Sequence, residues 1–380
     1  MNIKTTLKTS VAAAALFAVA APVVSTSADA GTWNSGNKNK VVMSGQVHRG
    51  LMYADDGAAD SLFNVGGGST STRVRWIATG QMNESVSVKG LIEMNTPTSN
   101  DVNSSSLTIT GGSQNRSTAD RAWGIRHLDI KFSHKTMGAL SIGQGNTASN
   151  GKSEVSYTGT GNVYYTGLGF GAGMDFVNSS TNISSGTSVG DIFTNFDGLS
   201  RADRIRYDLP SFNGLNIAVG YVDGGSADIG AGYSVKAGSV SFKMGAQYNT
   251  KAATSTTIND EWSVSGGVKH DSGLSLSGFY GQRDAVATNV DPEVWGATLG
   301  YEAKLNSMGK TAFSLNYASA EETNNTNGTE GDSWGVAVQQ SIDSVGTALW
   351  AAYQNYSYDT IGSTSFDDVS VVYAGATVKF

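Results

Sequence analysis

Sixteen stretches of this chain alternate apolar and polar residues with a period of two. They lie at about 40–54, 71–83, 85–96, 122–134, 139–146, 203–210, 214–223, 227–236, 239–250, 260–270, 274–284, 293–305, 311–321, 333–342, 347–358 and 368–380. Period two places successive side chains on opposite faces of an extended strand. The spacers between the stretches are of two kinds, taken nearly in turn. Seven are short turns, among them "KTMG" at 135–138, "SFNG" at 211–214 and "NSMG" at 306–309, and glycine stands in six of the seven, as tight hairpins prefer. The alternate spacers are longer and polar: 55–70, 97–121, 147–202, 251–259, 285–292, 322–332 and 359–367, with "DGGSAD" at 223–228 the one short exception. An even number of strands, short turns at one end and long loops at the other fit a closed antiparallel barrel that crosses a membrane.

A soluble sandwich alternates too, so the two faces have to be compared. In "STRVRWIATGQMN" (71–83), Val74, Trp76 and Ala78 oppose Arg73, Arg75, Ile77 and Thr79; in "SVSFKMGAQYN", Val240, Phe242, Met244, Ala246 and Tyr248 oppose Ser241, Lys243 and Gln247. The aromatic residues Tyr53, Trp76, Tyr221, Tyr248, Trp262, Tyr280, Trp295, Tyr301, Tyr317, Trp334 and Tyr353 share the apolar parity and mostly fall toward strand ends. That is the arrangement of interfacial girdles around a lipid-facing band, with the polar face lining water. The fold expected is all-β, a 16-stranded transmembrane barrel with short periplasmic turns and long external loops.

Residues 1–30 read as an export signal: Lys4 and Lys8, the apolar run "VAAAALFAVAAPVV", then small residues ending at Ala30. The remaining 31–380 form one barrel domain. Loss of two lysines and one aspartate with the signal takes the formal charge from −7 to −8. The acidic balance argues against nucleic-acid binding, and the lack of cysteine rules out disulfides and thiolate metal sites. No mature apolar run approaches helical span length, so insertion must be by strands.

The chain ends in mid-strand on Phe380. An open strand edge invites pairing with other chains, and lipid offers it no partner. Pairing of the last segment with the first would remove both edges.

The segments "SGQVHRGLMYADDG" (44–57), "STRVRW" (71–76), "SIGQGNTASNGKSEVSYTGTG" (141–161), "RADRIRYDLPSFNGLNIAVGY" (201–221) and the terminal "TVKF" resemble a Gram-negative general porin of the proteobacterial type. The resemblance covers essentially the whole mature chain. It implies a homotrimer in the outer membrane, surrounded by lipid and lipopolysaccharide, that passes ions and small hydrophilic solutes passively and without enzymatic chemistry. It also implies that the third external loop, 147–202, folds into the lumen and narrows it. Phe380 matches the terminal aromatic signature that the outer-membrane assembly machinery reads.

Strand parity turns Arg73, Arg75, Arg204 and Arg206 inward, with Arg121 at the head of the fourth strand and Glu93 and Asp129 also inward. The third loop supplies Glu154, Asp175, Asp191 and Asp197, though its acidic pattern departs from the best-known enterobacterial members. Arginines facing acids across a narrow wet gap set up a transverse field that orders water and penalises apolar solutes. The plainer reading is that these charges are solvated lumen residues or link neighbouring strands. The net charge and acidic loops lean toward weak cation preference, against the pull of the wall arginines. Alternatives are a substrate-selective porin for a sugar or an anion, and a non-conducting structural or adhesive barrel.

Other motifs carry less. "GLGFGAG" lacks the flanking strand and helix of a dinucleotide site, and His48, His127, His134 and His270 have no zinc-ligand spacing. "DGGSAD" is shorter than a calcium loop, and scattered Ser, His and acid residues define no catalytic geometry. No cofactor or metal is expected.

Overall fold

The computed structural model describes residues 32–34, 38–95, 101–104, 107–112, 123–164, 166, 170–287 and 289–380. The export signal and Arg121 lie outside the described residues.

Sixteen antiparallel strands form the wall: β1 (Lys40–Asp55), β2 (Arg73–Gln81), β3 (Val86–Asn95), β4 (Gly124–His134), β5 (Gly138–Asn146), β6 (Arg201–Asp208), β7 (Leu215–Val222), β8 (Ser226–Ala237), β9 (Val240–Thr250), β10 (Ile258–His270), β11 (Leu274–Ala285), β12 (Glu293–Ala303), β13 (Thr311–Glu321), β14 (Glu330–Ile342), β15 (Thr347–Tyr356) and β16 (Val369–Lys379). Each pairs with the next, and β16 pairs with β1 from Gln46↔Lys379 to Asp55↔Ser370. Phe380 completes the seam: its N–H donates to the Gly45 carbonyl at 3.0 Å and its carbonyl accepts from Gly45 at 2.8 Å. Both edges are thereby removed, as a lipid-embedded sheet requires.

Register confirms the two faces. Across β9 and β10, Tyr248 pairs with Trp262 and Ala246 with Val264 on the outside, while Gln247 pairs with Ser263 and Gly245 with Ser265 inside. Outer Trp and Tyr rings meet in repeated tilted pairs on adjacent strands, Trp262 with Tyr280, Trp295 with Tyr317 and Trp334 with Tyr353, with centroids 5.2–5.5 Å apart.

Two features depart from the sequence expectation. The stretch 55–70, expected as loop, contains a further strand, Asp60–Val65, which pairs with the upper part of β1, while β2 pairs with the lower part. The chain breaks between them at 66–72, where Gly67 and Gly68 take positive φ angles of 83° and 88°, a conformation glycine tolerates without strain. The second feature is an apolar core inside the barrel. Met52, Phe63, Val65, Phe279, Trp350, Tyr356, Val371 and Tyr373 point inward and are buried against Val102, Leu107, Val163, Phe170, Phe176, Ile192 and Phe193 of the inserted loops. The lumen on the β15–β16–β1 side is therefore filled with protein above the level of Gln46 and Lys379.

Candidate functional site

The third loop, 147–200, enters the lumen and follows the wall strand by strand. The Ser149 N–H and hydroxyl both donate to Asp228 on β8 at 2.7 Å. Next, Ser265 of β10 donates to the Lys152 carbonyl at 2.6 Å, and the Tyr157 N–H donates to Ser277 of β11 at 3.2 Å. Thr160 then donates to Ser314 of β13 at 2.9 Å, and the Asn162 N–H to Gln339 of β14 at 3.3 Å. Finally Tyr356 of β15 donates to the Phe170 carbonyl at 2.9 Å. The wall is small where the loop lies on it: a side chain at Gly230 or Gly245 would collide with the loop carbonyls of Ala148 and Lys152. Serine hydroxyls meet the loop's backbone groups, which would otherwise be buried without partners. On the far side a hairpin, Asp175–Asn178 and Ile183–Ser188, pairs with Phe366–Asp367 near the outer mouth.

Two limbs of the loop meet at Asp197, whose carboxylate accepts from the Gly151 N–H at 2.6 Å, from Asn150 at 3.1 Å and from Ser153 at 3.1 Å. Burial first, and then the neighbouring Glu154 carboxylate, push the Asp197 carboxyl up, to about 8. Both lie on a cavity of about 710 Å³ between the loop and the wall. Arg73, Arg126 and Arg201 line the opposing side, and Ser69, Thr70 and Asp101 line it at the break in the second strand. Burial likewise raises the Asp101 carboxyl to about 6.

Behind the arginines stands Glu93. Its Oε1 is 2.7 Å from Arg126 Nε and 3.7 Å from Arg73 Nη1, and its Oε2 is 3.2 Å from Arg75 Nε. One carboxylate thus holds three guanidinium groups as a fan. Sequence parity aims Arg126 outward. A β-bulge opposite Glu93 sets both Arg126 and His127 on the inner face, leaving Ile125 and Leu128 outside. The readable trace of that bulge is the order "IRHL", two polar residues between two apolar ones. Arg201 was passed over for a different reason: it stands where loop gives way to strand and alternation no longer decides direction.

The remaining expected site residues fall elsewhere. Arg204 is buried and donates to Asp129 at 2.5 Å and to the Gly143 and Asn146 carbonyls at 2.7 and 3.0 Å. Arg206 donates to Asp208 at 2.6 Å and to the Thr147 carbonyl at 2.7 Å. These two arginines, with Asp129, staple the root of the loop and do not line the cavity. Asp175 accepts from Ser184 within the loop hairpin, and Asp191 caps the single helical turn Val189–Ile192 by accepting from Ser188. Neither faces the cavity. Of the residues named from the sequence, Arg73, Glu154 and Asp197 do, while Arg75 and Glu93 stand behind it.

The comparisons with known proteins agree with this architecture. The sequence matches the Gram-negative porin family over residues 9–376. No curated protein matches it. Among solved structures, an anion-selective porin from Comamonas acidovorans superposes with a TM-score of 0.60 at 16% identity, covering 90% of this chain and all of that one. The outer membrane channel DcaP of Acinetobacter baumannii gives 0.56 at 13% identity over 93% of this chain and all of that one. The trimer form of OmpT from Vibrio cholerae gives 0.57 at 14% identity over 90% and all. At such identities the likeness is one of fold, and the family match carries the rest. The chain belongs to the Gram-negative porin family, and its barrel is a passive outer-membrane channel for small solutes.

Proposed function

We propose that this porin is a non-enzymatic diffusion channel narrowed by its third loop, with a preference for small hydrophilic anions. The observation that carries the preference is the charge of the inner wall. Eight basic side chains of the wall strands, with Lys310 just before β13, share five carboxylates there: Arg73, Arg75 and Arg126 on Glu93; Arg204 on Asp129; Lys131 and Arg206 on Asp208; Arg283 on Glu261; Lys269 and Lys310 on Glu302. A sixth inward carboxylate, Asp228, is taken up by the Ser149 bonds of the third loop. A narrow wet passage with excess positive charge raises the local anion concentration. The chain's net negative charge, which suggested cations, sits largely outside this path: Asp203, Asp260, Asp284, Glu293, Glu321 and Asp332 occupy outward strand positions at the external rim. Glu154 and Asp197 oppose the arginines, and the raised Asp197 carboxyl weakens that opposition near neutral pH.

The reading extends to a homotrimer. Every strand from β6 to β15 bears an outward Trp or Tyr, but among the described residues of the arc from β16 through β1 to β5 only Tyr53, Trp76 and, just before β4, Trp123 are of that kind. Its outer face is Val372, Ala374, Ala376, Leu51, Ile92, Ile130 and similar residues. An arc so sparse in girdle aromatics suits contact with another subunit better than an interface with lipid headgroups. Elsewhere the barrel would meet lipid and lipopolysaccharide, with export directed by residues 1–30 and assembly by Phe380.

The test is the reversal potential of single channels in a planar bilayer under a potassium chloride gradient. The sign expected is that of chloride permeating faster than potassium. A cation-selective sign sinks the preference.

A further inference from the structure

The aromatic-poor arc contains one side chain that a lipid-facing wall does not accommodate. Arg49 is on β1 and points outward, paired across the seam with Ala376 and flanked on its face by Val47 and Leu51. It lies four residues above Phe380 and six below Asp55. At ~3.3 Å per residue and the usual strand tilt it therefore stands roughly 10 Å from one end and about 15 Å from the other. That is the middle of an apolar band about 25 Å tall. Every other Asp, Glu, Lys or Arg at an outward position of the described strands stands close to the external end.

Its only bonds among the described residues are to Asn64 of the short strand Asp60–Val65, where Nη2 donates to Oδ1 at 2.8 Å and to the carbonyl at 3.2 Å. No carboxylate is within ion-pair distance of it among those residues. Asn64 is itself outward and exposed, so the two make a polar spot in an aliphatic surface. Among the described residues, the strand that carries Asn64 is laddered on one edge only, with β1, apart from the bridge of Gly66 to Asp101. Charge, side-chain amide and an unladdered strand edge thus coincide at one place on the outer wall. Hydrocarbon satisfies none of them.

From this we infer that Arg49 and Asn64 are the polar centre of a contact with a second copy of this chain, which supplies acceptors to the guanidinium at mid-membrane depth. A water-soluble partner does not reach that depth, so the occupant must itself span the membrane. The aromatic-poor arc supplies the surrounding apolar contact. The inference rests on the homotrimer proposed above and assigns it a specifying residue. The arrangement resembles a single buried polar group in an apolar interface, which fixes register because misaligned packing leaves it unpaired.

The test turns on a sign. Arg49→Leu removes a charge from the wall. If Arg49 meets a neighbouring subunit, the variant's oligomer dissociates at a lower temperature on semi-native gels than wild type, while the heat stability of the monomeric barrel stays level or rises. If Arg49 faces hydrocarbon, the oligomer is unchanged and the barrel becomes more stable, which overturns the inference. Asn64→Ala provides the second variant and should weaken the oligomer in the same direction by less. Repeating both in bilayers with and without anionic lipid separates a phosphate headgroup from a protein partner: a lipid-dependent effect on the isolated barrel also overturns it. Light scattering of the wild type distinguishes the two levels. A monomeric wild type defeats the trimer reading, whereas a trimer indifferent to Arg49 defeats this inference alone.

Discussion

On the side of β15, β16 and β1 the large inward residues are Trp350, Tyr356, Val371, Tyr373 and Met52, all buried against loop residues, and only toward the lower end do Gln46 and Lys379 reach the cavity. On the side of β2 through β6 they are Arg73, Arg75, Glu93, Arg126 and Lys131, held by ion pairs and lining or backing open space. One barrel carries a dry wall and a wet one. The dry wall fixes the position of the third loop by apolar burial, which is insensitive to salt. The wet wall sets the field in the passage, which is sensitive to it. Anchoring and filtering are thus assigned to opposite sides, and each should fail separately.

The largest effect should come from breaking the anchor. Phe170→Ala combined with Phe193→Ala removes two fully buried rings, each change worth about 3–5 kcal/mol at such a site. The loop should leave the wall, and single-channel conductance and open-channel noise should rise together while ion preference falls. Unchanged conductance from folded protein would show that the loop does not set the bore.

Glu93→Gln breaks the other side. It removes the counter-charge from three arginines, and losing one partner of a buried pair costs up to about 3 kcal/mol. Anion preference should increase with little change in conductance, read from the reversal potential. Arg126→Ala should move the same reading toward cations, by roughly twofold in permeability ratio at moderate salt and less at high salt. Equal effects of Arg126→Ala and of Arg204→Ala on selectivity would contradict the division between lining and stapling arginines.

The smallest effect is the titration of Asp197. Its carboxyl is raised to about 8, against an unfolded value near ~4. Between those values the folded protein holds a proton that the unfolded chain has lost, so this group's contribution to stability declines as pH rises through that window and levels off above it. Ionisation at alkaline pH adds negative charge opposite the arginines, so anion preference should fall between pH 6 and 9. Asp197→Asn should flatten that slope, and a slope that survives the substitution would assign it to another group.

The comparison of walls also explains which features were readable in the chain. Alternation found all sixteen wall strands, because for most of the circumference one face meets lipid and the other water. The rule breaks where the lumen is dry. In "DVSVVYAGATVKF" both parities are apolar: Val372, Ala374 and Ala376 face out while Val369, Val371 and Tyr373 face the buried loop. The strand Asp60–Val65 escapes alternation because it is only six residues long and mixed in character and a glycine run follows, and only the structure shows Phe63 and Val65 buried inside. A segment apolar on both faces is the mark of that inner core, visible only to a reader who already expects one.

What the sequence determined by itself is the barrel: strand number, up-and-down order, long and short ends, and closure through Phe380. These follow from period two and turn chemistry, which are local. The site was decided by tertiary structure. Arg126 entered it through a bulge that shifts parity by one residue, and Arg204 left it because a buried staple and a pore-lining arginine share the same alternation. Which acids meet the arginines depended on where the chain of 147–200 crosses itself, at Asp197 and Ser149–Ser153. Alternation specifies a face of a sheet, but a passage is defined by the distance between two surfaces, and that distance is set by how the loop packs.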